Sequence, residues 1–271
     1  MKRTILYIPL VALAAAALAA EPAADRVTAA FSDPSRPGVL KVNLINGSIR
    51  VKGYSGKEVV IEARTGDDES GHAAARKDGL RRVPMTSSGL EVQEENNVMS
   101  VGTGLPNRGT DLDIQVPART SLKLKTINNG EIVVEGVQGE IEVNNINGAV
   151  TLTNISGSAV AHALNGKVTA TFAQVDPQKA MSFSSLNGDI DVTLPATIKA
   201  NVKLKSDRGE VFSDFDIVTR APAAPVVEDS RSEKGKFRVR IDRSVYGTIN
   251  GGGPEIQFSN FNGSIYIRKG K

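Results

Sequence analysis

The sequence predicts an all-β protein folded as a parallel β-helix-like solenoid, built of short strands with Asn-Gly corners. One observation is a set of glycines that stand nine residues apart: Gly130, Gly139, Gly148, Gly157 and Gly166. Another is that apolar residues recur two and four positions after each of these glycines, as Ile141 and Val143 do after Gly139. A fixed period with fixed apolar positions is typical of a repeat architecture, in which stacked units bury a continuous core.

A slip in the apolar alternation favours stacked coils over hairpins. A straight strand would continue its alternation six residues after each glycine, but the next apolar residue comes after seven: Val137, Ile146, Ile155 and Leu164. A second bend inside each unit explains the slip, so two units of nine residues would close one coil of about 18. Asn-Gly between alternating strands is also a hairpin signal. An antiparallel β-barrel or sandwich therefore remains the alternative fold.

The first 20 residues have the features of an export signal. Lys2 and Arg3 precede an apolar run from Ile5 to Ala20, which is short for a membrane-spanning helix and rich in small residues. We therefore expect residues 1–20 to be a signal peptide and the chain to be exported, to the periplasm, the cell surface or the medium. Retention of this segment as a membrane anchor is the alternative. We expect no membrane span after signal cleavage.

The remaining chain divides into a lead and one repeat domain. Residues 21–38, rich in Ala, Pro, Asp and Ser, are predicted to form a disordered lead. Residues 39–271 are predicted to form the solenoid, with polar loop insertions at 64–84 and 220–236. Ten glycines fit the repeat template and are predicted to be its structural corners, where glycine and asparagine tolerate positive φ: Gly47, Gly56, Gly130, Gly139, Gly148, Gly157, Gly166, Gly188, Gly209 and Gly263.

Composition excludes several functional classes. Cysteine is absent, which removes disulfides, zinc–thiolate sites and cysteine nucleophiles. The 33 basic and 30 acidic residues are interspersed, and a nearly balanced charge of this kind predicts no binding of nucleic acid. Tryptophan is also absent, which counts against an aromatic sugar-binding groove. We expect no cofactor.

Acidic residues are the main candidates for chemistry. Three pairs stand two residues apart, so each pair would face one side of a strand: Asp111 and Asp113, Glu140 and Glu142, and Asp189 and Asp191. Enzymes that act on acidic polysaccharides use such outward acids, with Glu210 as a possible third member here, but a solvated strand face explains the pairs more simply. Asp67, Asp68, Glu69 and His72 could bind a metal, and His162 lies at a predicted bend. We interpret none of these residues as catalytic or metal-binding.

The stretch from Leu112 to Phe172, with its repeated Asn-Gly-x-Ile/Val-x-Val units, resembles a bacterial putative-adhesin family of unknown function. It is also similar to the head-GIN group of putative autotransporter adhesins. The resemblance implies an exported, β-helical, non-enzymatic protein of the cell envelope, used in interaction or structure. Its partner would be an envelope protein or a polysaccharide. The alternative functions are a polysaccharide-active β-helix enzyme and the ectodomain partner of an envelope-stress system.

Overall fold

A computed structural model describes residues 24–65, 76–77, 80–81, 88–104, 109–220, 226–230, 236–240 and 243–271. These residues form strands and turns and no helix. The strands are β1 Asp25–Ala30, β2 Val39–Asn43, β3 Ile49–Tyr54, β4 Glu58–Thr65, β5 Arg76–Lys77, β6 Leu80–Arg81, β7 Leu90–Glu95, β8 Val98–Thr103, β9 Thr110–Pro117, β10 Ser121–Thr126, β11 Ile132–Glu135, β12 Gln138–Asn147, β13 Val150–Asn165, β14 Val168–Val175, β15 Met181–Asn187, β16 Ile190–Leu194, β17 Ala200–Ser206, β18 Val211–Ser213, β19 Val218–Thr219, β20 Val226–Ser230, β21 Lys236–Arg240, β22 Val245–Ile249, β23 Glu255–Asn262 and β24 Ile265–Lys269.

The strands pair in two rows, and the chain alternates between them. Row 1 runs β8, β2, β10, β12, the second half of β13, β15, β23 and β17. Row 2 runs β9, β3, β11, the first half of β13, β14, β16, β24 and β18. Every pair within the two rows is parallel, because each coil contributes one strand to each row in the same direction. The predicted all-β, mainly parallel solenoid is therefore confirmed.

The coils do not stack in the order of the sequence. The coil of β2 and β3 lies between the coil of β8 and β9 and the coil of β10 and β11. At the other end, the coil of β23 and β24 lies between that of β15 and β16 and that of β17 and β18. Each terminal repeat of the sequence is thus covered by a coil on both sides, which protects its backbone hydrogen bonds from solvent.

Antiparallel strands flank the stack at its two ends. At one end β7 pairs with β8, while β4 pairs with β9 and β1 pairs with β4. At the other end β22 pairs with β17, and β19 pairs with β22. Unpaired strand edges invite pairing with another chain, so antiparallel end strands reduce this hazard.

The inward side chains of both rows form one aliphatic core. Ile141 and Val143 of row 1 and Val150 and Leu152 of row 2 are at most 2% exposed. A short aromatic stack crosses the later coils, where the ring of Phe183 lies 5.5 Å from that of Phe258 and 6.1 Å from that of Phe172. Alternating strands therefore bury the positions that the sequence pattern assigned to the interior.

The nine-residue period proves to be half of an 18-residue coil with two different bends. Gly157 pairs with Gly139, and Val168 pairs with Val150, each 18 residues apart. At the bend that leads from row 2 to row 1, the apolar residues Val137 and Ile155 are buried. At the bend from row 1 to row 2, the equivalent Ile146 and Leu164 are partly exposed. The two half-coils have similar sequences and different surroundings.

The predicted disordered lead differs from the structure. Residues 25–30 form β1, which pairs along its whole length with β4. Ser88 donates hydrogen bonds from its backbone N–H (2.8 Å) and its hydroxyl (2.5 Å) to the Asp25 carboxylate, and these bonds hold the pKa of Asp25 below its usual value. Asn97 accepts a hydrogen bond from the Asp33 backbone N–H at 2.8 Å. Polar composition suggested disorder, but partners at least 28 residues away fix this segment.

The predicted insertions contain short paired strands in their described parts. Arg64 and Thr65 still belong to β4, and β5 pairs with β6 in the first insertion. In the second, β20 pairs antiparallel with β21. The predicted signal peptide at 1–20 lies outside the described residues, as do Asp67, Asp68, Glu69 and His72. Within the described part of the chain, no helix is long and apolar enough to cross a bilayer.

Candidate interaction surface

The outward face of row 2 carries several paired charges. Near one end, Asp113 receives a hydrogen bond from Arg64 (Nη1 to Oδ2, 2.8 Å) and lies 3.8 Å from Arg50. Lys52 lies 3.7 Å from Glu135 in the same region. Asp113, Arg50, Lys52 and Glu135 line an open depression of about 260 Å³. Opposite charges thus alternate across neighbouring coils, and their electrostatic interactions are exposed to solvent, where such pairs contribute little stability.

Six of the seven candidate acids are engaged by basic side chains or by backbone N–H groups. Asp111 and Asp189 accept hydrogen bonds from the backbone of Ser48 (2.7 Å) and Ser264 (2.8 Å). Glu140 and Glu142 lie 2.9 Å from Lys179 and 3.2 Å from Lys123. Among the described residues, no cluster of three or more acidic or histidine side chains could hold a metal ion.

Asp189, Asp191 and Glu210 do not form a common group of carboxylates. The coil of β23 and β24 separates the strand that follows Asp189 from the strand that follows Glu210. Ser264 of that intervening coil binds Asp189 and accepts a hydrogen bond from the Glu210 backbone N–H at 3.3 Å. Asp189 and Glu210 are therefore separated by two strand spacings, about 10 Å along the stack.

Asp191 is the most enclosed of the candidate acids that form ion pairs, with a side chain 16% exposed. Arg268 binds it through Nε at 2.7 Å and Nη2 at 3.2 Å, and Lys167 Nζ lies 3.5 Å away. Burial raises the pKa of the carboxyl, but the hydrogen bonds and positive charges of Arg268 and Lys167 together lower it below its usual value. The same contact raises the pKa of Arg268. Asp191 is therefore held as a carboxylate, in the role of an ion-pair partner.

Arg268→Gln should make the protein less stable at neutral pH, and the loss should shrink in acid. The folded-state pKa of Asp191 is lower than its unfolded value of about 3.9, so its ion pair stabilises the fold above that pH and is lost as the pH falls through the folded value. The measurement is the urea midpoint of the wild type and the variant at pH 7 and below pH 4. An unchanged difference between the two midpoints would exclude this linkage.

A column of glycines follows the bend from row 1 to row 2, with one glycine in each of seven of the eight coils. A side chain on any one of them would come within 3.0 Å of a backbone carbonyl oxygen in the adjacent coil. In order along the stack the members are Gly47, Gly130, Gly148, Gly166, Gly188, Gly263 and Gly209. We call this set the glycine column. Its residues let the backbones of neighbouring coils approach where a Cβ atom would not fit.

Asparagine amides form a ladder beside the glycine column. The amide of each donates Nδ2–H to the side-chain oxygen of the one before it, at 3.2, 2.9, 2.7 and 2.8 Å along the stack. The members are Asn128, Asn147, Asn165, Asn187 and Asn262. We call this set the asparagine ladder. On the buried side of the ladder, the side-chain amides of Asn145 and Asn260 donate hydrogen bonds to the backbone carbonyls of Gly130 (2.9 Å) and Gly188 (2.8 Å). These bonds also link adjacent coils.

An apolar stripe runs along the outside of the same bend. Its six members occupy adjacent positions in six successive coils. In the first three coils this is shown by hydrogen bonds from the backbone N–H groups of Asn128 and Asn147 to the carbonyls of Ile45 (2.8 Å) and Ile127 (3.1 Å). In the later coils the strand registers place the remaining members side by side. Ile45 is 46% exposed, and Leu186 and Phe261 are each 39% exposed. The members are Ile45, Ile127, Ile146, Leu164, Leu186 and Phe261, and we call this set the apolar stripe.

The repeat template places the stripe residues and the buried residues of the other bend at the same position, but the dipeptides that follow them differ. An apolar residue directly precedes Asn-Gly in five of its six members, as in Ile146-Asn147-Gly148. The buried residues at the other bend precede Gln-Gly or Ser-Gly, as in Val137-Gln138-Gly139. The dipeptide after the apolar residue therefore distinguishes the two bends, but the average nine-residue pattern hides the difference.

The ten predicted corner glycines occupy two kinds of place. Seven form the glycine column and lie between strands of the two rows, and Gly56 lies in the turn between β3 and β4. Gly139 and Gly157 lie within β12 and β13. Among these ten, φ is positive at Gly47, Gly148, Gly157, Gly188 and Gly263. The corner role of the ten residues stays a prediction.

The remaining candidate, His162, lies on the outward side of β13, with Nδ1 2.7 Å from Ser184 Oγ.

Two solved structures are among those that match this chain. One is a putative cell adhesion protein from Clostridium sporogenes, 11% identical, with a TM-score of 0.44 over 92% of this chain and 100% of that chain. The other is a putative adhesin from Bacteroides fragilis, 11% identical, with a TM-score of 0.39 over 92% of this chain and 98% of that chain.

Sequence comparison identifies the family. A search of curated proteins found no match to this chain. The sequence profile of a protein family described as Toastrack DUF4097 matches residues 4–244, which is most of the chain. Because the match covers well over half of the chain, the chain belongs to the Toastrack DUF4097 family.

Proposed function

We propose that this protein is an exported, non-enzymatic interaction or structural module of the bacterial cell envelope. The observation that carries the proposal is the stack of eight coils, whose outward side chains stand in straight columns on a continuous core. Adjacent strands are about 4.8 Å apart, so such columns offer many equal, weak contacts to a surface or an extended polymer. The resemblance of the repeated Asn-Gly-x-Ile/Val-x-Val units to a bacterial putative-adhesin family supports the same role.

The state of the acids supports a role without catalysis. A general acid or base needs a carboxyl whose pKa is matched to its task. Asp191, the most enclosed of the ion-paired candidates, instead has its pKa lowered by Arg268 and Lys167. Asp113 is similarly bound by Arg64. The alternative, a polysaccharide-active enzyme, predicts turnover of an acidic or neutral glycan by the purified chain, and release of reducing ends would establish it.

Binding can be tested with cell-wall polysaccharide and with envelope protein extract. We expect the immobilised chain to retain a component of one preparation, in a manner that depends on the folded solenoid. Ile141→Asp, which should unfold the stack, serves as the control that abolishes retention. Equal retention by wild type and this variant, or retention of nothing from either preparation, would contradict the proposed role.

Export is tested separately from binding. We expect the full chain to fractionate with the periplasm, the cell surface or the medium, because residues 1–20 have the pattern of an export signal. Deletion of residues 4–20 should leave the protein in the cytoplasm. An unchanged distribution after the deletion would contradict the export signal while leaving the binding result intact. Association with an envelope-stress system would appear as a membrane protein among the retained components.

A further inference from the structure

We propose that the apolar stripe is the contact surface of a reversible dimer between two copies of this chain. The stripe is a continuous line of aliphatic side chains that ends in one aromatic ring, and it follows the stack through six of its eight coils. Exposed apolar side chains that adjoin one another mark interaction sites more often than scattered ones do. This inference concerns self-association, and it does not depend on the envelope partner proposed above.

The chemistry on both sides of the stripe is neutral. On one side lies the asparagine ladder. On the other side the outward residues of row 1 are Asn144, His162, Ser184 and Ser259. Among the described residues, charged side chains adjoin the stripe only near its two ends, with Lys125 at one end and Asp207 and Arg208 at the other. The guanidinium of Arg208 lies 5.3 Å from the centre of the Phe261 ring.

This neutrality selects a second copy as the partner. A two-fold dimer brings the same patch of both chains together, so a patch of one charge would repel its own copy. An apolar stripe between neutral borders meets no such repulsion, and its charged ends would form a solvated rim. The charges that could select a partner of opposite sign lie elsewhere, on the outward face of row 2 around Asp113 and Asp191.

The size of the surface predicts a weak dimer. Six coils extend about 29 Å, and outward residues along one strand are about 6.7 Å apart, so the stripe and its two borders cover roughly 30 by 15 Å. That footprint is about 450 Å², against about 800 Å² per partner in a standard stable interface. A contact of this area fits two copies that associate reversibly and dissociate on dilution.

Sedimentation velocity of the purified full chain over a wide range of concentration tests the proposal. We expect a monomer at low concentration and a dimer at high concentration. Leu186→Asp should weaken dimerisation by at least about tenfold, because it would bury a carboxylate without a partner. Thr153→Asp puts the same charge on an exposed position of row 2 and should leave the dissociation constant of the dimer unchanged. A monomer at all concentrations, or a dimer that Leu186→Asp does not weaken, would overturn the proposal.

Single cysteines give an independent test, since the chain has none of its own. Leu164→Cys lies near the middle of the stripe, where a two-fold axis would bring the residue close to its own copy. We expect this variant to form an intermolecular disulfide on mild oxidation, because the bond requires Cβ atoms about 3.8 Å apart. Ile45→Cys should form one only if the two stripes run parallel. Cross-linking of Leu164→Cys no faster than that of Thr153→Cys would also overturn the proposal.

Discussion

Gly148→Ala is expected to lower the free energy of unfolding by about 3 kcal/mol, the upper range for a strained backbone position. Gly148 has φ +156°, and a Cβ atom there would overlap the carbonyl oxygen of Gly130. The same atom would lie 2.9 Å from Asn145 Nδ2, which donates to that carbonyl at 2.9 Å. The substitution would therefore force two coils apart and weaken a buried hydrogen bond.

The matched control is Gly109→Ala. An added Cβ at Gly109 has no neighbour within 4 Å among the described residues. We expect this change to alter the urea midpoint very little, or to raise it slightly by restricting the unfolded chain. Similar losses from the two substitutions would show that the close approach at the glycine column is not what makes Gly148 necessary.

Ile141→Asp is expected to lower the free energy of unfolding by about 4 kcal/mol or more, enough to prevent folding in a marginally stable chain. Ile141 is 2% exposed and lies between Leu122 and Ala159 of the adjacent coils in row 1. A carboxylate there would be buried without a partner. Urea unfolding and the circular dichroism of the purified variant measure the effect.

Two further variants keep that prediction testable if Ile141→Asp does not fold. Ile141→Val removes one methylene group and should cost about 1 kcal/mol. Thr151→Asp puts the carboxylate on the outward side of row 2, between Val133 and Thr169, and should cost little. If Thr151→Asp were as damaging as Ile141→Asp, the assignment of inward and outward positions would be wrong.

Much of the fold could be predicted because strand periodicity is a local property. Alternation places Ile132 and Val134 on one side of a strand and Val133 on the other, and the structure buries the first two. The slip before Ile155 indicated a bend within each unit, which argued for coils over hairpins. The lead was harder to predict, because β1 depends on β4 and on the bond between Asp25 and Ser88, both remote in sequence.

The candidate site was less predictable than the fold. The spacing of Asp189 and Asp191 correctly indicated two side chains near one another on one strand. Their partners come from other coils: Ser264 for Asp189, and Arg268 and Lys167 for Asp191. An isolated pair of acids in the sequence thus says little about chemistry, because residues 24 to 77 positions away decide whether each carboxyl is free or bound.

By itself, the sequence determined the repeat, the inward positions and the 18-residue coil, because side-chain alternation and glycine tolerance act over a few residues. The tertiary structure decided which coil stacks on which. Backbone hydrogen bonds between parallel strands are the same for every repeat, so nothing local tells β23 to lie between β15 and β17. At the two bends, Ile155 and Ile146 have equivalent places in the nine-residue pattern, and closure of the coil buries the first and leaves the second partly exposed. The dipeptides that follow them, Ser-Gly and Asn-Gly, are the local sign of this difference.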